Sequence, residues 1–463
     1  MKNAAILLSA LLVALLSGCR DHSLEPHNED IMAWQAGGQG FDQGEFVGTD
    51  QHGNVYVAGY FTQSATFSSK SLTSPAGGVT IFIAKYNPAG EIQWVQRPTA
   101  TNSSSIGGMA VDANGNVYIT GSFRGRITFG TVILNSRGGA DLYILKLNSN
   151  GEAQWGRNEG GSTDSPDISE NGTGIAVDEA GNIYVTGYYF GSTTLGPTTL
   201  ISSGGSDVFV MKCNSNGDVQ WAQKAGGIGG DEGGDIAVDK NGTIYITGFY
   251  SFTASFGSIT LPEIGVSGDP TIFIAKYSST GEILWAQRGE YGSGVGIAVD
   301  ANGNAYVTGS LKIGRFDSYI YFAKYNTNGE NQWSKIIGSI GINNGGKDIA
   351  LDKAGNVYLT GFSSASQLAF SHYPFPPSGE PGTAIRVVHY GSDDVFVGKF
   401  DSNGNLIWAR SGGGTGTDVG NGIAVDESGN LYVTGSFNGT ATFGTTTLTT
   451  MGGRDIFVAR YRQ

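Results

Sequence analysis

The sequence predicts an all-β fold, a β-propeller of seven four-stranded blades in which an N-terminal strand closes the last blade. Three observations predict it: a repeated hairpin motif, 75 glycines in 463 residues without a collagen-like triplet, and a fourth strand missing from the last repeat. Frequent glycine indicates either disorder or many tight turns. The 21 Tyr, 23 Phe and 7 Trp can form a packed core, which favours a folded protein with many turns.

The first motif recurs seven times and predicts a β-hairpin. It runs from an apolar residue through Asp, two variable residues, Gly and Asn to alternating apolar residues that end in Thr-Gly, as at residues 111–121. Asp at the first turn position and Gly three residues later suit a type I turn with a left-handed Gly. We expect the Asp side chains to stabilise their own turns. These anchor aspartates are Asp50, Asp112, Asp178, Asp239, Asp300, Asp352 and Asp426.

A second motif follows each first one and predicts another hairpin, so that each blade has four strands. It runs from Asp through alternating apolar residues and Lys to a turn with Gly-Glu and then Trp, as at residues 141–155. We expect an ordinary loop between the second and third strands. A basic residue inside an apolar strand needs a partner, so we expect an ion pair with a turn carboxylate. The basic residues are Lys85, Lys146, Lys212, Lys276, Lys324, Lys399 and Arg460.

The two ends of the chain predict how the ring closes. The last copy stops after its third strand, at residues 455–463. Residues 31–38 resemble residues 221–227 and supply the missing fourth strand, which leaves no unpaired edge between the ends. A solenoid would need polar end caps, which we do not find in the sequence. One Trp then belongs to each blade and is expected to pack between blades: Trp34, Trp94, Trp155, Trp221, Trp285, Trp333 and Trp408.

These phrases resemble a known family. Gly-Ile-Ala-Val-Asp at residues 422–426, Tyr-Val-Thr-Gly at 432–435 and Asp-Ile-Phe-Val-Ala at 455–459 are similar to the bacterial seven-bladed β-propeller repeat, SBBP. The resemblance covers residues 31–463, and a more distant one is to NHL-repeat propellers. It implies a propeller fold and a place in the cell envelope. Because the family has no shared catalytic residues, it implies no activity.

The N-terminus predicts export and lipidation. Lys2 precedes an apolar run at residues 4–16 that is short for a membrane span and suits a signal-peptide core. Residues 16–19, Leu-Ser-Gly-Cys, resemble a bacterial lipobox. We therefore expect a signal peptide at 1–18, acyl chains on Cys19, a tether at 19–30 and an anchor in the cell envelope, at the outer membrane. The alternative is an ordinary signal peptide with an incidental Cys.

Charge and composition narrow the partners. A formal net charge of −13 with no basic stripe excludes nucleic acid. No nucleophile–base pair is apparent, and no His stands at a repeated position. Cys213 takes the place of Tyr86 and Leu147 in other copies, so it is expected in the core. We expect a monomer without a required cofactor.

One repeated position suggests a metal site. At a fixed distance before each anchor aspartate stand Asp42, Ser104, Glu170, Asp231, Gly292, Asn344 and Asp418. The carboxylates among them, at the start of the innermost strands, could ring one mouth of the channel, and such oxygen ligands suit Ca²⁺. The candidate metal ligands are Asp42, Glu170, Asp231 and Asp418. The favoured alternative is that each side chain fixes its own loop by accepting backbone N–H groups.

Loops of unequal length on a uniform frame predict a binding protein. Inter-blade loops and second-to-third loops share one face, and the sixth second-to-third loop, at about 363–392, is the longest. Tyr373, Phe375 and Tyr390 in it are candidate contacts for a protein or glycan partner, unless this loop folds over the short fifth blade. We expect a non-catalytic binding or scaffold protein; the alternatives are a metal-dependent hydrolase or lyase that uses the channel, and a sugar-binding propeller.

Overall fold

The computed structural model describes residues 31–75, 78–161, 169–264, 268–313, 317–338, 343–372, 383–386 and 389–462. Every secondary-structure element assigned in these residues is a β-strand. Cys19, the signal peptide and the tether lie outside the described residues, as do Tyr373 and Phe375.

The strands alternate with short turns along the chain. In residues 31–161 they are β1 (Ile31–Ala36), β2 (Gln43–Thr49), β3 (Val55–Phe61), β4 (Ser64–Phe67), β5 (Lys70–Thr73), β6 (Thr80–Tyr86), β7 (Ile92–Gln96), β8 (Thr99–Ala100), β9 (Gly108–Val111), β10 (Val117–Phe123), β11 (Arg126–Phe129), β12 (Val132–Asn135), β13 (Asp141–Leu147) and β14 (Ala153–Glu159). In residues 169–338 they are β15 (Glu170–Val177), β16 (Ile183–Leu195), β17 (Thr198–Cys213), β18 (Val219–Gly227), β19 (Glu232–Val238), β20 (Ile244–Tyr250), β21 (Ala254–Phe256), β22 (Ile259–Leu261), β23 (Thr271–Tyr277), β24 (Ile283–Val299), β25 (Ala305–Ile313), β26 (Asp317–Tyr325) and β27 (Asn331–Gly338). In residues 343–462 they are β28 (Asn344–Leu351), β29 (Val357–Ser363), β30 (Gln367–His372), β31 (Thr383–Arg386), β32 (Asp394–Phe400), β33 (Leu406–Gly414), β34 (Val419–Val425), β35 (Leu431–Phe443) and β36 (Thr446–Tyr461).

Each repeat forms an antiparallel unit of four strands, in which the first pairs with the second, the second with the third and the third with the fourth. In chain order the units are β2-β3-β6-β7, β9-β10-β13-β14, β15-β16-β17-β18, β19-β20-β23-β24, β24-β25-β26-β27, β28-β29-β32-β33 and β34-β35-β36-β1. The long strand β24 is both the fourth strand of one unit and the first strand of the next. The predicted two-hairpin unit is therefore confirmed.

The N-terminal strand completes the last unit, as predicted. β1 pairs with β36, with Ala36 opposite Ile456. Trp34, however, lies opposite Val458, whereas Trp155 and Trp221 lie opposite the third-strand Lys of their units. Met32 occupies the corresponding place, opposite Arg460. Trp34 therefore lies two residues away from the strand position that the other Trp residues occupy. The predicted alignment was wrong in this respect, because the glycines at 37–38 set the register of the strand.

The connection between the second and third strands is an inserted β-hairpin in most units, and the expected ordinary loop is wrong. The inserts are β4-β5, β11-β12, β21-β22 and β30-β31, and in two units β16-β17 and β35-β36 continue into the insert. An insert pairs with the outer strand of the preceding unit, as Ser255 does with Gly226. Since this pairing joins neighbouring units through backbone hydrogen bonds, the inserts stabilise the array.

The long insert of the sixth unit lies on the fifth unit. Ile337 in β27 is opposite Phe370 in β30, and the Phe370 ring lies 6.0 Å from that of Phe400. This confirms, for the described part of the loop, the alternative in which it folds over the fifth blade.

The first strands stand side by side in a cyclic order. β2 contacts β9, and the contacts continue through β15, β19, β24, β28 and β34, which returns to β2. A β-bulge interrupts these strands, as between Gly172 and Gly174. A Cβ at Gly174 would lie 2.8 Å from the Cα of Asp235, so glycine permits the close approach of neighbouring strands.

Lysine and tyrosine link the hairpins of each unit. Lys85 Nζ lies 5.1 Å from the ring centroid of Tyr56 and donates a hydrogen bond to the carbonyl oxygen of Ser149 in the next unit. The Tyr56 hydroxyl donates to Asp50 Oδ2. The same Lys–Tyr contact recurs at Lys146, Lys212, Lys276, Lys324 and Lys399. The contact that these lysines share is a cation–π contact. The turn aspartate adds an electrostatic attraction at some of them, as Asp50 does at Lys85, and the expected ion pair with a turn carboxylate stays a prediction.

Tryptophan packs between units, as predicted. Trp94 Nε1 donates to the carbonyl oxygen of Ser149 in the next unit. Its ring covers Gly151, which has a φ of +82°, and a Cβ there would lie 2.8 Å from the indole. Glycine therefore serves both the turn and the contact between units.

Candidate functional site: the central channel

The four carboxylates predicted at the channel mouth are buried between units. Asp42, Asp231 and Asp418 have no exposed surface, and Glu170 is 1% exposed. Asp231 Oδ2 accepts the Gly227 N–H at 2.6 Å, and its Oδ1 accepts the N–H of the residue that follows β20 at 2.9 Å. These are the contacts of the favoured alternative, in which each side chain fixes its own loop.

Equivalent hydrogen bonds hold the other three side chains. Asp42 accepts the N–H groups of Gly38 and Thr62, Asp418 accepts those of Gly414 and Asn438, and Glu170 accepts that of Gly161. Burial raises the pKa of Asp42 and Glu170 to about 7, and that of Asp231 and Asp418 to about 6. In the described residues no three Asp, Glu, His or Cys side chains are grouped so that they could hold one metal ion. Calcium binding by these residues stays a prediction.

The first strands surround a cavity of about 210 Å³. Each of them contributes to its lining, with apolar residues such as Met109 and Ile175 beside polar ones. The polar side chains are Thr173, Asp235, Lys347, Asp348 and Asn421. The cavity is therefore a central channel with a mixed wall.

Two aspartates of the channel wall tie neighbouring units together. Asp235 and Asp348 occupy the bulge position that is glycine in most other units. Asp235 Oδ2 accepts the Ile297 N–H and Asp348 Oδ2 accepts the Ile423 N–H, both at 2.9 Å. Burial raises the pKa of Asp235 to about 6 and that of Asp348 to about 8, where the negative charge of Asp235 adds to the effect. A pKa of about 8 favours the neutral form of the Asp348 carboxyl group at pH 7.

Glu45 and Lys347 are two further ionisable side chains of the first strands. Burial raises the pKa of Glu45 to about 7, against the opposing charge of Lys347 and a hydrogen bond from Gln43 Nε2. Lys347 is exposed and lies 6.0 Å from the ring centroid of Phe362. Asn421 Nδ2 donates to the carbonyl oxygen of Gly44, which connects the last unit to the first. Asp235 and Asp348 thus accept N–H groups of the next unit, whereas Glu45 accepts a hydrogen bond within its own strand.

The sequence analysis did not single out these channel residues. They stand at two adjacent positions of the first strand, where other copies have mostly glycine or small residues. The sequence feature that could have identified them is Asp at positions 235 and 348, where most other copies have Gly. The carboxylates that precede the first strand recur in more copies and therefore gave the stronger pattern.

Five of the ten large exposed apolar side chains in the described residues lie in connections between strands on one face. Phe41 is 71% exposed and Ile228 is 72% exposed, and both lie in connections between units. Val79, Tyr390 and Met451, also exposed, lie where second-to-third connections end. Because strand direction reverses at each turn, these connections share one face of the array. We call it the loop face.

Two further residues from the sequence analysis, Tyr390 and Cys213, lie within the described residues. Tyr390 is 44% exposed and its N–H donates to Asp394 Oδ2 at 2.8 Å. Cys213 is buried, and burial raises the pKa of its thiol to about 12, as expected for a core cysteine. No helix suited to crossing a bilayer occurs among the described residues.

Two curated proteins resemble this chain. An uncharacterized WD repeat-containing protein of Acanthamoeba polyphaga mimivirus is 25% identical over 92% of this chain and 38% of its own length. The regulatory protein FlaEY of Caulobacter vibrioides is 24% identical over 72% of this chain and 36% of its own length. The chain thus spans little more than a third of these relatives.

A solved structure and a repeat family also match. The structure titled as the Dos1 propeller is 9% identical, with a TM-score of 0.46, over 93% of this chain and 95% of its own. Residues 161–188 and 407–440 match the β-propeller repeat SBBP. Together with the repeated four-stranded units, this match shows a β-propeller repeat protein that resembles the SBBP family.

Proposed function

We propose that this protein is a non-catalytic binding or scaffold propeller that contacts a partner through its loop face. The observation that carries the proposal is the exposure of Phe41 and Ile228 on that face. Exposed aromatic and aliphatic side chains on a rigid frame are favoured contact anchors. None of the large apolar side chains with high exposure in the described residues belongs to the short turns of the opposite face.

We also propose that the units form a ring of seven blades. The cyclic contacts of the first strands, with β34 against β2, support closure. The pairing of β1 with β36 supports it independently, because it joins the two ends of the described chain within one unit.

The proposed location is the cell envelope, with a lipid anchor on Cys19. The Leu-Ser-Gly-Cys motif at 16–19 supports this, and the tether at 19–30 would separate the propeller from the membrane. An anchored scaffold suits a partner in the same compartment. A channel enzyme or a sugar-binding propeller remains the alternative, and catalysis would require a carboxyl group of the channel wall to act on a substrate.

Binding to native envelope extract tests the proposed surface. The double variant Phe41→Ser, Ile228→Ser is expected to lose at least tenfold in partner affinity with an unchanged melting temperature, since both side chains are exposed. The matched control is Ile133→Ser with Leu284→Ser, which removes two exposed apolar side chains elsewhere. Equal loss in both double variants, or in neither, would contradict the assignment of the loop face.

A further inference from the structure

A second acid accompanies each of the four buried carboxylates. The residues that begin the third strands are, in chain order, Thr80, Asp141, Asp207, Thr271, Tyr319, Asp394 and Asp455. The residues that precede or begin the first strand of the unit that follows are, in the same order, Ser104, Glu170, Asp231, Gly292, Asn344, Asp418 and Asp42. At every junction both positions are acidic or neither is. The two acids therefore act as a pair.

The paired carboxyl groups meet beside one glycine. A Cβ at Gly226 would lie 2.8 Å from Asp207 Oδ1 and 2.8 Å from Asp231 Oδ2. A Cβ at Gly413 would likewise contact Asp394 Oδ1 and Asp418 Oδ2. Glycine leaves the space between two acids from neighbouring units open. In the described residues no hydrogen bond joins the two carboxyl groups of these pairs.

One oxygen of the third-strand acid lacks a donor at three of the four acidic junctions. Oδ1 of Asp207, Asp394 and Asp455 is buried without a hydrogen-bond partner, although these side chains are at most 2% exposed. Each Oδ2, in contrast, accepts a backbone N–H. A buried acceptor without a partner costs about 1–3 kcal/mol. The same unpaired oxygen recurs at three junctions that also carry a second carboxyl group.

The fourth junction differs. Asp141 accepts Asn158 Nδ2 at 3.0 Å and the Arg137 N–H, so donors already occupy its oxygens. At Asp394, the imidazole of His389 lies 2.8 Å from Oδ2. Near Asp207, Lys224 Nζ donates a hydrogen bond to the carbonyl oxygen of Ile201. The pair Asp207–Asp231 is therefore the clearest site.

We propose that the pairs with an unpartnered oxygen each bind a hard divalent cation, of which Ca²⁺ fits best, between neighbouring units. Two carboxylates from different units neutralise the ion, and backbone carbonyl oxygens and water complete the coordination that Ca²⁺ prefers. These are separate sites at the junctions, in contrast to one ring at the channel mouth. Bound ions would fasten units together without any salt bridge to a basic side chain.

Isothermal titration of the chelator-treated protein with CaCl₂ at pH 7.5 tests the proposal. A stoichiometry of three ions, one for each of the pairs at Asp207, Asp394 and Asp455, is expected, together with a rise in melting temperature. Asp207→Asn should remove one ion from the stoichiometry, because the amide donates to Asp231 and keeps the junction closed. The matched control is Thr80→Asn, at the equivalent position of a junction without acids, which should leave the stoichiometry unchanged.

Two results would overturn the proposal. One is the absence of calcium binding by the parent protein at millimolar CaCl₂. The other is a fall in melting temperature between pH 5 and 8 that Asp207→Asn reduces to the same extent with and without Ca²⁺, which would indicate that a proton, and not the ion, occupies the pair. The parent stoichiometry stands as a test even where a variant does not fold.

Discussion

Replacement of Asp348 by Asn is expected to flatten the pH dependence of stability. In the folded protein burial raises the Asp348 pKa to about 8, from an unfolded value near 3.8. The folded state therefore holds a proton that the unfolded state releases above about pH 4. Its contribution to stability is complete below that pH and is lost as pH rises through about 8.

The magnitude follows from the difference in bound protons. One proton changes the free energy of unfolding by about 1.4 kcal/mol per pH unit, so Asp348 should account for about 3 kcal/mol between pH 5 and 7. This is an upper value, because the side chain is partly accessible from the channel. Asparagine keeps an acceptor for the Ile423 N–H and cannot ionise.

Urea unfolding at pH 5, 6, 7 and 8 measures the effect. The free energy of unfolding of Asp348→Asn is expected to increase relative to that of the parent as pH rises. Glu179→Gln, at an exposed turn carboxylate, is the control and should follow the parent. Parallel curves for Asp348→Asn and the parent would show that Asp348 is ionised in the folded protein and refute the reasoning.

Two further predictions concern the N-terminal strand and the lipid anchor. Removal of residues up to 38 deletes β1 and exposes the edge of β36, so the melting temperature should fall or the protein should aggregate. Burial of Ile31 in β1 alone contributes roughly 1.5–3 kcal/mol, and an unchanged, soluble monomer would contradict ring closure. Cys19→Ser should abolish fatty-acid labelling and release the protein from membranes, whereas retained labelling would place the lipid elsewhere.

The repeats made the four-stranded unit and the closing strand predictable, because each rests on local patterns: alternation, turn glycines and the glycine pair at 37–38. The inserted hairpins were missed because their Thr- and Gly-rich sequences have the composition of loops. An insert also pairs with the preceding unit, as Ser255 does with Gly226. This pairing joins residues that are distant in sequence, so no local pattern predicts it.

The candidate site was less predictable than the fold. The repeat spacing grouped Asp231 with its equivalents, but it indicated neither their burial nor the acids of the preceding unit that lie beside them. The roles of Asp235 and Asp348 depend on a bulge that brings them to the next first strand. The Lys–Tyr contacts likewise follow from strand register, which sets Lys85 opposite Tyr56.

Site-specific photo-crosslinking in the native envelope tests the central claim most directly. A photoreactive side chain at Phe41 or Ile228 is expected to capture a discrete partner, since both positions are exposed on the loop face. The same group at Glu179 or Asn302, exposed in turns of the opposite face, should capture none. Crosslinks from the turn positions, with none from Phe41 and Ile228, would contradict the proposed binding face.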